Sequence, residues 1–388
     1  MKQCTVKEIY TGKPDARDEV GYSSLDKFCG RMILPPKFEL NNIINGDCFY
    51  IVGNKGVGKT AILLYIKQQL ISKDKDSMCS MILFKKDYTK VKRAQLDKLQ
   101  KDLISNLNIE TDDLIKVRDF TKIWTLLIYS KIVNDNINSN YSIFENNTNW
   151  KSFEAIIRGL SNTNKDVLEL PITIPKEMRI VYDTTENLYI SVERVVYPED
   201  ENSIPLSNFY SALDLADKLF QSLNMLEHKY FVCIDELEAY STDRNIFLRD
   251  LAMIRDLIIT TKRINDLIKE SHLENIKIVL SVRSEMIKCI SNELDGQEFN
   301  KCIDGFEERI SWGDGRGQGI HQPLFYVWLK RIAISANYTS NMKYEDIYQA
   351  WFPPTVGVEN TVDFLLKRTW YKPRDIVRFM VNAQSQIP

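Results

Sequence analysis

The stretch Gly53-Asn54-Lys55-Gly56-Val57-Gly58-Lys59-Thr60 has the residue types and the spacing to hold a polyphosphate. Glycines at 53, 56 and 58 let backbone N–H groups approach phosphate oxygens at positions where a Cβ would obstruct them. Lys59 is spaced to reach β- and γ-phosphate oxygens, and the Thr60 hydroxyl is placed to ligate Mg²⁺. Ala61 follows as the residue that carries the loop into the next element. Before the loop, Cys48-Phe49-Tyr50-Ile51-Val52 is a short apolar run of the kind a buried strand shows. After it, Ile62, Leu63, Ile66 and Leu70 recur on one helical face. A helix that starts at such a loop adds about half a positive charge where the phosphates would lie. A chance glycine turn ahead of a helix is the competing reading, and it leaves the joint occurrence of strand, loop and helix unexplained. The expectation is a nucleotide bound along residues 53 to 61.

A second constellation lies well downstream, in Tyr230-Phe231-Val232-Cys233-Ile234-Asp235-Glu236. Apolar residues that end in two acids describe a buried strand with carboxylates at its carboxyl end, the edge where open α/β sheets bind ligands. Asp235 is the natural partner for Mg²⁺, directly or through water. Glu236 is placed to orient or deprotonate an attacking water, which points to hydrolysis beyond mere binding. A further strand, Ile276 to Val282, leads to Arg283; the arrangement resembles AAA+-type ATPases, whose strand after the acidic one carries a polar sensor near the γ-phosphate, and the resemblance makes Ser281 and Arg283 the candidates. The alternative for Arg283 is an ion pair with Glu285 or a neighbouring acid. Near the C-terminus, Pro373 suits the first turn of a helix, which puts Arg374 where a positive charge opposes the helix dipole unless an anion is near. Arg374 is therefore a candidate phosphate contact, with a surface pair to Asp375 as the alternative.

These groups need elements to position them, and the patterning supplies an α/β core. Residues 1–47 read as a lead-in, with Pro35-Pro36-Lys37-Phe38 stiff and extended and Asn45-Gly46 a turn. Phe28, Ile33 and Phe38 are the lead-in residues that could border a base. Residues 48–135 form the first part of the core: the loop strand, a second strand near 80–90, an amphipathic helix from Val91 and an apolar helix around Phe120 to Val133. Residues 136–206, rich in Asn and β-branched runs, read as an inserted small β-rich lobe. Residues 207–312 complete the core, beginning with a helix from Asn208 to Leu226 ahead of the acidic strand. Arg244, Arg249, Arg255 and Arg263 recur along a helical stretch there; they read as salt-bridge partners, with an arginine finger toward a second subunit as the alternative. Residues 313–388 read as a helical lid, opened by the glycine-rich 313–319, a flexible loop by composition. The helical end of the chain is compatible with a longer natural protein.

The 388 residues carry a net charge of −2. The basic surplus of a dedicated nucleic-acid module is absent. No apolar stretch approaches the roughly 18 residues of a membrane span. The seven cysteines contain no C-x-x-C pair, and the polar first residues do not resemble a signal segment, so a reducing, cytoplasmic setting is expected. The three histidines lie outside any nucleophile motif.

In order along the chain, GKPDARDEV, PPKFEL, GNKGVGKTA, CIDELE, SVRSEM, EERISW and RTWYKPRDIVRFM resemble the FunZ-type bacterial P-loop ATPases, relatives of the AAA+ and STAND proteins. The resemblance spans nearly the whole chain and is weak through 136–206. It implies ATP as the nucleotide, Lys59 and Thr60 at phosphate and Mg²⁺, Asp235 and Glu236 as the acidic pair, and Arg374 as a lid arginine. It associates the chain with bacterial anti-phage defence. No distinct arginine-finger motif accompanies it, which leaves a ring open. The function expected is an ATP-hydrolysing switch that gates a protein partner or a homo-oligomer. The alternatives are a DNA-handling ATPase and a non-hydrolysing scaffold with ATP as a structural ligand.

Overall fold

The computed structural model describes residues 4–105, 119–139, 141–161, 178–183, 189–194, 203–206, 209–294, 297–313, 319–338 and 342–386. In chain order the elements are α1 (Ala16–Tyr22), α2 (Leu25–Arg31), α3 (Leu40–Asn45), β1 (Tyr50–Gly53), α4 (Lys59–Lys73), β2 (Met78–Leu83), α5 (Phe84–Asp87), α6 (Lys90–Ser105), α7 (Thr121–Asn138) and α8 (Thr148–Ser161). There follow β3 (Met178–Asp183), β4 (Tyr189–Arg194), β5 (Ser203–Leu206), α9 (Phe209–Gln221), β6 (Tyr230–Asp235), α10 (Arg244–Glu270), β7 (Ile276–Arg283), α11 (Ser284–Glu293), α12 (Gln297–Ile303) and β8 (Glu307–Arg309). Helices α13 (Tyr326–Ser335), α14 (Tyr344–Trp351), α15 (Thr361–Arg368) and α16 (Pro373–Ser385) close the chain. The fold is α/β, with a five-stranded sheet in the order β2-β6-β7-β1-β8 flanked by helices.

The chain divides into two compact units. The first comprises residues 1–45, 51–73 and 307–388. Here β1 is buried along its length, and α4 turns Ile62, Leu63, Ile66 and Leu70 inward as the apolar spacing requires. Leu64, on another side of α4, is also buried and packs with Phe28 and Cys29 of α2. Apolar contact on two sides explains why α4 is not simply amphipathic. The lead-in is thus more than an extended approach: Asp15 caps α1 through Arg17 N–H, Ser24 caps α2 through Lys27 N–H, and both helices belong to the packing around α4.

The second unit comprises residues 46–50 and 74–306. Strands β2, β6 and β7 are parallel, with Ile82 opposite Ile234 and Ile234 opposite Leu280. All six residues of β6 are buried, as a central strand covered on both faces demands. Of the expected Asn45-Gly46 turn, Asn45 ends α3 and Gly46 alone is a turn residue, at φ +85°. Between residues 136 and 206 the structure differs in part from the expected β-rich lobe. A three-stranded antiparallel sheet, β4-β3-β5, is present, but α7 runs on to Asn138 and 148–161 is helix α8. Trp150, Phe153, Ile156, Ile157 and Leu160 form the buried stripe of α8, a helical period that the Asn-rich surroundings disguised. The apolar run Ile172 to Ile174 lies outside the described residues, as do 314–318 of the glycine-rich loop. The helix ahead of β6 ends at Gln221, short of Leu226.

Candidate functional site

In the first unit the loop from Gly53 to Lys59 joins buried β1 to α4. Gly56 and Gly58 take φ of +87° and +106°, which L side chains rarely adopt. A Cβ on Gly53 would come within 2.8 Å of Val57 Cγ2, so the loop closes too tightly for any side chain there. Lys59 is 8% exposed, and its Nζ donates to the carbonyls of Gly53 at 2.7 Å and Asn54 at 3.0 Å. The ammonium group is thereby folded back over the loop. Thr60 occupies the first turn of α4.

Residues far along the chain pack on the same loop. Pro373 opens α16, as its position predicts, and Arg374 follows it. The Arg374 backbone N–H lies 3.4 Å from the Gly56 carbonyl oxygen, and its Nε donates to the Pro14 carbonyl at 3.3 Å. Asp375 is engaged by Arg378, so the alternative pairing of Arg374 with Asp375 is replaced by a contact with the loop. Trp312 Nε1 donates to the Val57 carbonyl of the loop at 3.0 Å.

Beside the loop is a cavity of about 80 Å³ walled by Val57, Gly58 and Ala61 of the loop and α4, and by Phe28, Ile33 and Trp312. Phe28 and Ile33, two of the lead-in residues that the sequence offers for a base, line this cavity. Phe38 is buried elsewhere and does not line the cavity. Arg31 and Arg331 also line it, and sequence reading missed both. Arg331 sits in an apolar helical stretch and Arg31 at the end of α2, without a local pattern to mark them. Trp312 falls in the EERISW block, though nothing in that block assigned it a role.

In the second unit, β6 ends in Asp235, 3% exposed, whose Oδ1 accepts from the Ser281 hydroxyl of β7 at 2.5 Å. Glu236 follows with φ +65°, a left-handed conformation unfavourable for a residue with a Cβ. Leu237 and Ala239 are buried on either side of Glu238. Glu238, itself buried, pairs with Arg283, whose Nη1 donates to Tyr240 Oη at 2.6 Å; Lys85 Nζ is 3.8 Å from the same carboxylate. Of the two readings for Arg283, the ion pair is therefore formed, with Glu238 as the acid. The arginines of α10 all meet acids of their own unit: Arg244 with Glu293, Arg249 with Asp250, Arg255 with Asp256 and Arg263 with Asp217. Burial pushes the Asp256 carboxyl up to about 6, against the opposing pull of Arg255. These pairs account for the helical arginine spacing as salt bridging.

One further cluster stands apart in this unit. His228 Nδ1 lies 2.9 Å from Asp74 Oδ2 and Nε2 lies 3.9 Å from Asp76. Hydrogen bonding to Asp74 raises the imidazole and lowers the carboxyl from their ordinary values.

Among the described residues no helix is long and apolar enough to cross a membrane. Comparison of the chain with family models, with curated proteins and with solved structures gave no match.

Proposed function

We propose that the chain binds ATP along residues 53 to 61 and hydrolyses it, acting as a nucleotide-dependent switch of the FunZ type. The observation that carries the reading is the Gly53–Thr60 loop: positive φ at Gly56 and Gly58, a buried Lys59 folded over it, and Arg374 and Trp312 in contact with its carbonyls. A strand, a tight glycine loop and a helix N-terminus suit the polyanionic tail of a nucleoside triphosphate, and the adjoining apolar cavity suits its base. Lys59 would exchange its carbonyl partners for phosphate oxygens. The Arg374 guanidinium, whose two Nη groups have no partner among the described residues, would add a second cation. Thr60 offers a hard oxygen ligand of the kind Mg²⁺ requires, and the ion would neutralise charge on the phosphate oxygens; Asp235 is the acid that the sequence pairs with Mg²⁺.

Glu236 is the proposed base for the attacking water, with Ser281 orienting Asp235. A general base acts only when held at a fixed angle to its water, and a left-handed residue between buried neighbours is held so. Arg283 in this reading works through its pairing with Glu238, and Arg374 couples the loop to α16, so that hydrolysis would alter the surface α16 presents. Release of a bound partner or oligomer would follow.

The test is phosphate release from Mg·ATP by the wild type, Lys59→Ala and Glu236→Gln, with and without DNA. The reading expects turnover that DNA does not change, loss of nucleotide binding in Lys59→Ala, and retained binding with at least about 100-fold slower turnover in Glu236→Gln. Wild-type turnover in Glu236→Gln contradicts the catalytic assignment, and turnover that requires DNA favours a DNA-handling ATPase.

A further inference from the structure

The cavity beside the loop is apolar except for two guanidinium groups. Arg331 is 8% exposed; its Nη1 donates to the Thr11 carbonyl and its Nη2 to Glu19 Oε2 at 3.2 Å. Its Nε is buried and has no hydrogen-bond partner among the described residues. Arg31 lies with its guanidinium carbon 3.9 Å from the Tyr10 ring centroid, and its Nη1 is likewise buried without a partner. Both side chains line the cavity. A buried guanidinium N–H left without an acceptor is costly, and guanidinium can only donate.

No lining side chain offers an oxygen or nitrogen acceptor: the walls are aliphatic and aromatic groups, and the Trp312 N–H is already used on Val57. A ligand fitted to this cavity is therefore apolar over most of its surface and carries an acceptor for the guanidinium groups. Purine ring nitrogens meet that description. Glu19 and the Thr11 carbonyl fix the other two nitrogens of Arg331, so the direction of Nε is set before any ligand arrives, which is how a short polar contact becomes selective.

We propose that Arg331, seconded by Arg31, reads a ring-nitrogen acceptor of a purine base held between Phe28 and Trp312. The proposal rests on nucleotide binding at the Gly53–Thr60 loop and adds the residues that choose the base. Glu19 is a positioning residue, acting through Arg331.

The test uses the full chain and Mg²⁺ with ATP, GTP and CTP and with the 1-deaza, 3-deaza and 7-deaza analogues of ATP, each lacking one ring acceptor. Affinity is measured for the wild type, Arg331→Lys and Arg31→Met. Lysine keeps a charge for Glu19 and removes Nε. The proposal expects one deaza analogue to bind the wild type at least about 10-fold more weakly than ATP, the scale of one lost hydrogen bond. Arg331→Lys is expected to bind that analogue and ATP equally, and Arg31→Met to weaken ATP several-fold. Equal binding of ATP and all three analogues by the wild type overturns the proposal, and that arm needs no variant to fold. Unchanged discrimination in Arg331→Lys overturns it too. Tight binding of ATP, GTP and CTP alike leaves the loop reading standing and removes this one; failure of every nucleotide removes both.

Discussion

The backbone N–H of Arg374 lies 3.4 Å from the carbonyl oxygen of Gly56, joining residues more than three hundred positions apart. Gly56, whose carbonyl meets α16, has φ +87°. A Cβ built there would stand 3.6 Å from Arg374 Cβ and from Lys372 Cδ, which is ordinary contact. The cost of a side chain at 56 is therefore conformational and not a clash. Gly56→Ala is expected to lower stability by about 1–2 kcal/mol through backbone strain, read by denaturant unfolding. Gly53→Ala, with Val57 Cγ2 at 2.8 Å, adds overpacking worth about 1–3 kcal/mol. Equal stability of both variants with the wild type would contradict this account of the loop.

Glu236 carries strain for a different reason. Its φ of +65° suits glycine, and nothing about a stable strand end requires a glutamate there. Glu236→Gly should raise stability by about 1 kcal/mol while abolishing phosphate release. A thermal melt beside a turnover assay checks both halves, and a variant that loses activity without gaining stability would show that the backbone is not strained.

In the Glu238–Arg283 pair the glutamate is buried and the arginine partly buried, with side chains 8% and 13% exposed. Replacing Glu238 removes a carboxylate from beside a guanidinium that is only partly solvated. Glu238→Gln is expected to cost about 3 kcal/mol, whereas Glu293→Gln, which breaks the more exposed pair to Arg244, should change unfolding little. Comparable losses for the two would deny that burial sets the difference.

Much of this site is legible in the sequence, and the reason is locality. Gly53, Gly56, Gly58, Lys59 and Thr60 act within one turn of chain, so their spacing alone predicts the loop between β1 and α4. Asp235 and Glu236 are marked by an uninterrupted apolar strand before them. Arg374 was visible because a cation at a helix N-terminus is a local anomaly that asks for an explanation. What escaped was long-range. Trp312, Arg31 and Arg331 meet the loop region only through the fold, and no window of sequence contains both partners. The α8 helix was hidden for a third reason: its apolar stripe is regular, but asparagines on either side favour turns, and composition was allowed to outweigh period.

The His228–Asp74 pair gives a pH dependence whose sign can be worked out. Asp74 titrates below its ordinary value near 3.9 and His228 above its ordinary value near 6.5. The histidine's contribution is complete below about 6.5 and is lost as pH rises through its raised value. The aspartate's is complete above about 3.9 and is lost as pH falls through its lowered one. Wild type should therefore exceed His228→Gln in Tm most clearly near pH 5 to 6, and the two should converge in alkaline solution. Both groups are solvent-accessible, so the gap should be small and should shrink with added salt. A Tm difference that grows with pH would reverse the assignment.

The account stands or falls on whether residues 53 to 60 hold a triphosphate. Calorimetric titration of Mg·ATP into the wild type and into Lys59→Ala, with circular dichroism to show that both are folded, measures this directly. Saturable one-to-one binding by the wild type, lost at least about 10-fold when Lys59 is removed, is the predicted result. No binding by folded wild type, or equal binding by Lys59→Ala, would contradict it.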